Sequence, residues 1–273
     1  MLTGDPARTI LTAYLPRIAL GAGIAVTRRA ADGRLRQVPG ADGCTTSTGQ
    51  AGCTKLPCMA ELATAVAVSR DGRFLYLAGG NADLESTGGG YLATFRRLSG
   101  GGLRAVGCVS TAGTGLAAGN IPLWLAPLPH TDTVLELMVR GNRGDGIAYG
   151  RIYGSRPGAT GALGAAVPLS HNLSLTTEMS LALAPDGRTP YAADDTGGGN
   201  LDVLRVSPSS ASRLPGRYGT AYLGGARTSH GYAYGATGML RSRDGRFVYL
   251  ATGSVDTSQD RSAPAIRVYR VAR

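Results

Sequence analysis

Three segments of this chain are near copies of one another, and they limit the possible folds more than any other feature. They are Val66–Ala78 (VAVSRDGRFLYLA), Leu181–Ala193 (LALAPDGRTPYAA) and Met239–Ala251 (MLRSRDGRFVYLA). Each sets Asp-Gly between two apolar runs, a strong short-range signal for a β-hairpin. The turn aspartates are Asp71, Asp186 and Asp244; the last two are 58 residues apart and the first two 115, close to twice that. A degenerate copy is therefore expected near residue 128. Leu123–Val139 fills the place, with two apolar runs around a Pro-containing turn but no Asp-Gly. A fifth copy, Asp5–Leu15, begins at the turn.

A second motif follows each copy: Ile24–Arg29, Leu92–Arg97, Ile147–Ile152, Leu201–Val206 and Ile266–Val271, with Arg28, Arg96, Arg151, Arg205 and Arg270 at the fifth position. Its period-two alternation predicts strands. A Gly- or Ser-rich turn and a short fourth strand follow in four of the five, as in Asp32–Pro39 and Gly100–Val106. Each unit thus reads as strand a, an Asp-Gly turn, strand b, a variable loop, strand c, a Gly turn and strand d. Repeated units of about 45–58 residues with four antiparallel strands describe β-propeller blades. The expectation is an all-β chain, one propeller domain over 1–273 with about five four-stranded antiparallel blades, in approximate units 1–40, 60–107, 120–168, 178–215 and 236–273. The first unit has no recognisable strand a and the last stops before strand d, so the reading is of a ring with a piece absent.

Composition agrees with this and excludes other classes. The 42 Gly among 273 residues are not periodic, which excludes collagen. Abundant Gly, little Glu and a single Lys (Lys55) speak against a helical protein. No apolar run approaches the roughly 18 residues that cross a bilayer. The net charge of +10 is nearly all Arg, spread singly or in pairs along the chain. There is no basic block and no interleaved aromatic residue of the kind that stacks bases, so no nucleic-acid partner is expected.

The Ser-Arg/Pro-Asp-Gly-Arg-x-x-Tyr-x-Ala pattern, followed by an x-Ala-Val-x-x-Arg-Arg strand, resembles the lactonase-like (YVTN-type) seven-bladed β-propellers. The run Pro39–Cys53 (PGADGCTTSTGQAGC) is similar to a cysteine-bearing repeat of secreted actinobacterial members. The resemblance implies an incomplete seven-bladed ring. The fold hosts lactonases, cycloisomerases, lyases and plain binding proteins, so it specifies no single activity.

Cys44, Cys53 and Cys58 are placed in one d-to-a loop, with Cys108 beginning the next. The spacing lacks the two close pairs of a zinc ribbon, and no metal or other cofactor is expected. Four cysteines allow three disulfide connectivities, which sequence leaves open. The resemblance implies Cys44–Cys53, and Cys58–Cys108 would then tie neighbouring blades. Disulfides indicate an extracellular setting, although no signal peptide is present in this chain.

Long b-to-c and d-to-a loops open on one face of such blades, and the Asp-Gly turns on the other. The loops gather the candidate site. His171 and His230 lie in consecutive d-to-a loops, where Glu178 or Asp194 could complete a general-base pair. Arg227 or Arg261 would hold a carboxylate or oxyanion, with Asp195 and Asn200 as further ligand contacts. His130 and the turn aspartates fall on the opposite face and read as structural, and the repeated strand-c arginines as solvated or inter-blade pairing residues. Two functions follow. The first is a secreted, monomeric binding or scaffold propeller whose channel mouth takes a small carboxylated or lactone ligand, or an extracellular protein. The alternative is a lactone hydrolase or cycloisomerase using the His/carboxylate pair. The scarcity of His favours the first.

Overall fold

The computed structural model describes residues 23–59, 62–80, 89–110, 120–141, 148–170, 180–193, 200–214, 220–222, 235–242, 244–253 and 265–271. They form 21 β-strands and two 3-10 turns, with no α-helix among the described residues. No helix there is long and apolar enough to cross a membrane.

One antiparallel sheet runs in chain order through β6 (Leu62–Val68), β7 (Phe74–Gly80), β8 (Gly90–Arg97) and β9 (Leu103–Ser110). A second follows the same order through β10 (Asn120–Pro127), β11 (Val134–Gly141), β12 (Ala148–Ser155) and β13 (Val167–Pro168). In the third, β14 (Ser180–Leu183), β15 (Pro190–Ala193), β16 (Asn200–Ser207) and β17 (Ser210–Arg213) are joined by β18 (Thr220–Tyr222), which also pairs with β16. The last has three strands, β19 (Gly235–Arg241), β20 (Phe247–Gly253) and β21 (Ala265–Arg270). Its outer surface exposes Leu240, Tyr249, Ile266 and Val268.

The Asp-Gly hairpins close through one repeated turn. Gly72 donates its N–H to the Ser69 carbonyl (2.9 Å), and the Ser69 N–H returns to the Phe74 carbonyl (2.9 Å). Only Gly72 takes a left-handed conformation (φ +71°), so the turn is a type I turn completed by a glycine bulge. Asp71 Oδ1 accepts the Arg73 N–H (3.0 Å) and the Ser69 hydroxyl (2.6 Å). Asp244 repeats both bonds with Arg246 and Ser242, whereas Asp186 repeats the backbone bond, from Arg188, and takes the Thr189 hydroxyl in place of a serine, since Ala184 stands at the Ser69 position. The Ser69 hydroxyl is the largest influence on the Asp71 carboxyl; burial, next in size, opposes it, and the groups of Arg73 add to the lowering, which brings the carboxyl down to about 2.

The first strands depart from expectation. The strand read over Ile24–Arg29 breaks at Val26 into β1 (Gly23–Ala25) and β2 (Thr27–Arg29). β2 pairs with β3 (Leu35–Gln37), whereas β1 pairs with β4 (Cys44–Thr46). Val26 itself bonds both Val38 and Gly43, so residues 38–43 leave the ladder as an excursion and return to it. Cys44 therefore opens a paired strand rather than lying in a loop. β4 then runs parallel to β5 (Thr54–Lys55). Cys108 likewise sits inside β9, opposite Ala93, and does not begin a loop. Cys44 bonds Cys53, and Cys58 bonds Cys108.

The chain makes two compact units, one from residues within 1–127, 132–140 and 155–167, the other from 128–131, 141–154 and 168–273. In the first, β7 is buried on both faces, and its period-two alternation divides it between two apolar clusters. Leu75 and Leu77 join Ile24, Val26, Tyr91 and Phe95. Phe74, Tyr76 and Ala78 join Leu92, Leu125, Val134 and Leu163. In the second unit Tyr191, Met239, Val248 and Leu250 form the core.

Candidate functional site

Seven of the residues expected to form the loop-face site, His171, His230, Glu178, Asp194, Asp195, Arg227 and Arg261, lie outside the described residues. Asn200 is described and opens β16, opposite Tyr222 of β18.

On the other face, within the second unit, three turns enclose a cleft of about 500 Å³. The β10–β11 turn supplies Leu128, His130 and Thr131, the β14–β15 turn Asp186–Thr189, and the β16–β17 hairpin Arg205–Pro208, Ser210 and Ser212. Packing fixes the first two turns against each other. Gly187 has φ +63°, and a Cβ there would stand 2.0 Å from Pro129 Cγ, so only glycine permits this approach. Gly245 meets Pro185 in the same way, which makes the contact a property of the repeat.

The chemistry of the cleft is cationic and hydroxylic. Arg188 and Arg205 are exposed, and among the described residues neither guanidinium lies within ion-pairing distance of a carboxylate. Asp186 is the one carboxylate in the lining, and its oxygens are already engaged by the Arg188 N–H (2.8 Å), the Thr189 N–H (3.0 Å) and the Thr189 hydroxyl (2.7 Å). Burial is the largest influence on its carboxyl and opposes ionisation, but these hydrogen bonds together outweigh it and lower the pKa. Ser207 Oγ accepts the Ser210 N–H at 3.0 Å and lies 2.8 Å from Ser210 Oγ. Arg205 stands opposite Ser212. A small anion placed here would meet two guanidinium groups and several hydroxyls, while the one carboxylate in the lining stays ionised with its oxygens occupied by hydrogen bonds from its own turn.

His130 reaches this lining because of its register. Pro127 pairs with Val134 at the same separation as Val68 with Leu75, so His130 occupies the turn position of Asp71. A departure from the repeat at a turn aspartate was the available sequence signal for it. Arg205 is one of the five strand arginines expected to be solvated or to pair between blades, and four of the five are exposed. Arg151 is half-buried. The Gly158 N–H bonds the Ala162 carbonyl as the Leu98 N–H bonds that of Gly102, so Arg156 is the counterpart of Arg96.

No protein-family model matches the chain, and no curated protein matches it by sequence. Solved structures do match it. A periplasmic gluconolactonase of Pseudomonas aeruginosa superposes with a TM-score of 0.59 at 18% identity, over 91% of this chain and 64% of its own. The fold is a β-propeller. A putative 6-phosphogluconolactonase of Bacteroides fragilis gives 0.55 at 15% identity, over 100% of this chain and 70% of its own. A chain of the COPII outer coat vertex gives 0.50 at 10% identity over 96% of this chain. Two named lactonases and a coat protein share the architecture, so the likeness carries the fold and not an activity. The present chain spans less than two thirds of the length of the gluconolactonase.

Proposed function

We propose that this chain is a secreted, lactonase-like propeller of the YVTN type, from the cysteine-bearing actinobacterial branch, that binds a small carboxylated ligand. The observation that carries the reading is the cleft in which Arg188 and Arg205, neither within ion-pairing distance of a carboxylate among the described residues, stand with His130 over a floor of hydroxyls. Two disulfides and no free cysteine among the described residues support an oxidising compartment. Residues 1–273 are taken as one monomeric propeller domain. Titration calorimetry against a panel of small mono- and dicarboxylates tests the proposal. At least one should bind, and the Arg188→Ala/Arg205→Ala double variant should weaken it at least tenfold, since charge-assisted hydrogen bonds contribute about 1.5–3 kcal/mol each. Equal affinity in wild type and variant would dismiss the cleft.

A second reading is lactone hydrolysis or isomerisation by His171 and His230 with Glu178 or Asp194, with Arg227, Arg261, Asp195 and Asn200 holding the substrate. The named activity of the superposing gluconolactonase favours it. Turnover of a lactone panel, abolished by His171→Ala, would support it; unchanged turnover in that variant would end it.

A further inference from the structure

Glu136 is fully buried, at 0% exposure, in the centre of β11. The register that places His130 on the turn aspartate also places Glu136 on Leu77, Ala192 and Leu250, all buried core positions of the other repeats. One copy of an apolar repeat therefore carries a carboxyl where the other three carry a hydrocarbon. Its cross-strand partner is Leu125, and Val134 precedes it by two positions on the same face. Both belong to the cluster with Phe74, Tyr76, Ala78 and Leu92 of the β6–β9 sheet. Neither carboxyl oxygen has a hydrogen-bond partner among the described residues, and the same holds for the buried hydroxyl of Ser155.

An ionised carboxylate cannot be kept in such a place at low cost. We propose that Glu136 is a proton-operated latch: protonated, it lets the β10–β11 hairpin seat against the β6–β9 sheet, and ionised, it loosens that seat. The surroundings offer the anion little. β10 and β6 carry no titratable residue. β7 presents Tyr76, whose own hydroxyl is pushed toward the neutral form by burial and then by Asp71 and Asp132. β8 presents Arg96, which is exposed and lies over the Phe74 ring at 5.8 Å. β12 carries Ser155 with Tyr153 and Arg151 at alternate positions, and β11 itself carries Arg140. Burial raises the Glu136 carboxyl to about 7, and the only opposing influence is the nearby Ser155 hydroxyl, which does not reach hydrogen-bonding geometry.

The sign follows from proton binding. Below about pH 4.5 the folded and unfolded chains both hold the proton. Between there and pH 7 the folded chain retains a proton that the unfolded chain has released, so stability falls as pH rises. The test compares the full chain with Glu136→Gln, which keeps shape and removes ionisation, and with Glu136→Leu, which restores the residue of the neighbouring repeats. Chemical denaturation is followed from pH 5 to pH 8. The unfolding constant should rise roughly 70-fold more in wild type than in Glu136→Gln. Hydrogen exchange of β11 amides, corrected for intrinsic rates, should be faster at pH 8 in wild type than in that variant. Parallel pH profiles, or equal β11 exchange at pH 8, would overturn the latch. Should Glu136→Leu fail to fold, wild type against Glu136→Gln still decides.

Discussion

The two disulfides close loops of very different size, which makes their contributions separable. Cys58–Cys108 spans 50 residues and Cys44–Cys53 spans 9. The longer one encloses β6, β7, β8 and most of β9, from the segment leading into β6 to Cys108. Cys44–Cys53 closes only the excursion between β4 and β5. If the bonds act by restricting the unfolded chain, the loop-entropy relation assigns about 4 kcal/mol to the longer at 25 °C and about 2.6 kcal/mol to the shorter. The perturbation is a pair of double variants, Cys58→Ser/Cys108→Ser and Cys44→Ser/Cys53→Ser. Both serines are close in volume to the cysteines, and Cys58 and Cys108 only flank the core cluster, so packing losses stay small beside the entropic effect. Urea denaturation measures each loss directly. The Cys58/Cys108 variant should be the less stable by about 1.5 kcal/mol. An equal loss, or a larger one for Cys44/Cys53, would refute the entropic reasoning and point to native-state interactions around the short loop.

Gly187→Ala should lower stability by about 1–3 kcal/mol, because it adds a left-handed alanine and a clash with Pro129; a thermal melt unchanged from wild type would contradict the turn packing. Asp71 has its pKa depressed from 3.8 to about 2, so the stability it supplies is present above pH 3.8 and lost as pH falls toward 2. Asp71→Asn should flatten that acid limb by less than about 1 kcal/mol, since the group is largely solvated, and an acid titration followed by circular dichroism reads it.

The fold was legible because its signal is repeated. A single Asp-Gly between apolar runs is a local hint, but at Asp71, Asp186 and Asp244 the same residues meet the same turn geometry. β7 was legible in part. Its sequence FLYLAGG is apolar at every position, so alternation could not show that one side joins Leu92 and Leu125 and the other Tyr91 and Phe95. The break at Val26 was not legible, because it depends on Gly43 and Val38 arriving from a later segment to bond one residue. The expected site was placed on loops, where spacing has no period to fix geometry, and of its eight residues only Asn200 falls among those described. The cleft was missed for a different reason. Arg188 and Arg205 each read as an ordinary member of a repeated position, and only the hairpin packing brings them to one hollow.

The degenerate copy is where the repeat rules are broken together. His130 stands for the turn aspartate, Thr131 for the left-handed glycine and Glu136 for the core leucine. Thr131 has no positive φ, so this turn cannot repeat the glycine bulge of its neighbours, although it spans the same number of residues. An isolated hairpin with a poorer turn and a buried acid would be marginal. Here neighbouring sheets offset both defects: Leu125 and Val134 pack with Phe74 and Tyr76, and Pro129 is gripped by Gly187. A repeat array can therefore carry one irregular member at small cost, because each blade draws stability from adjacent ones. The irregular member is then free to hold chemistry that the regular ones exclude. That freedom explains why the imidazole in the cleft lining and the one buried, unpartnered carboxyl among the described residues both arise from the same copy.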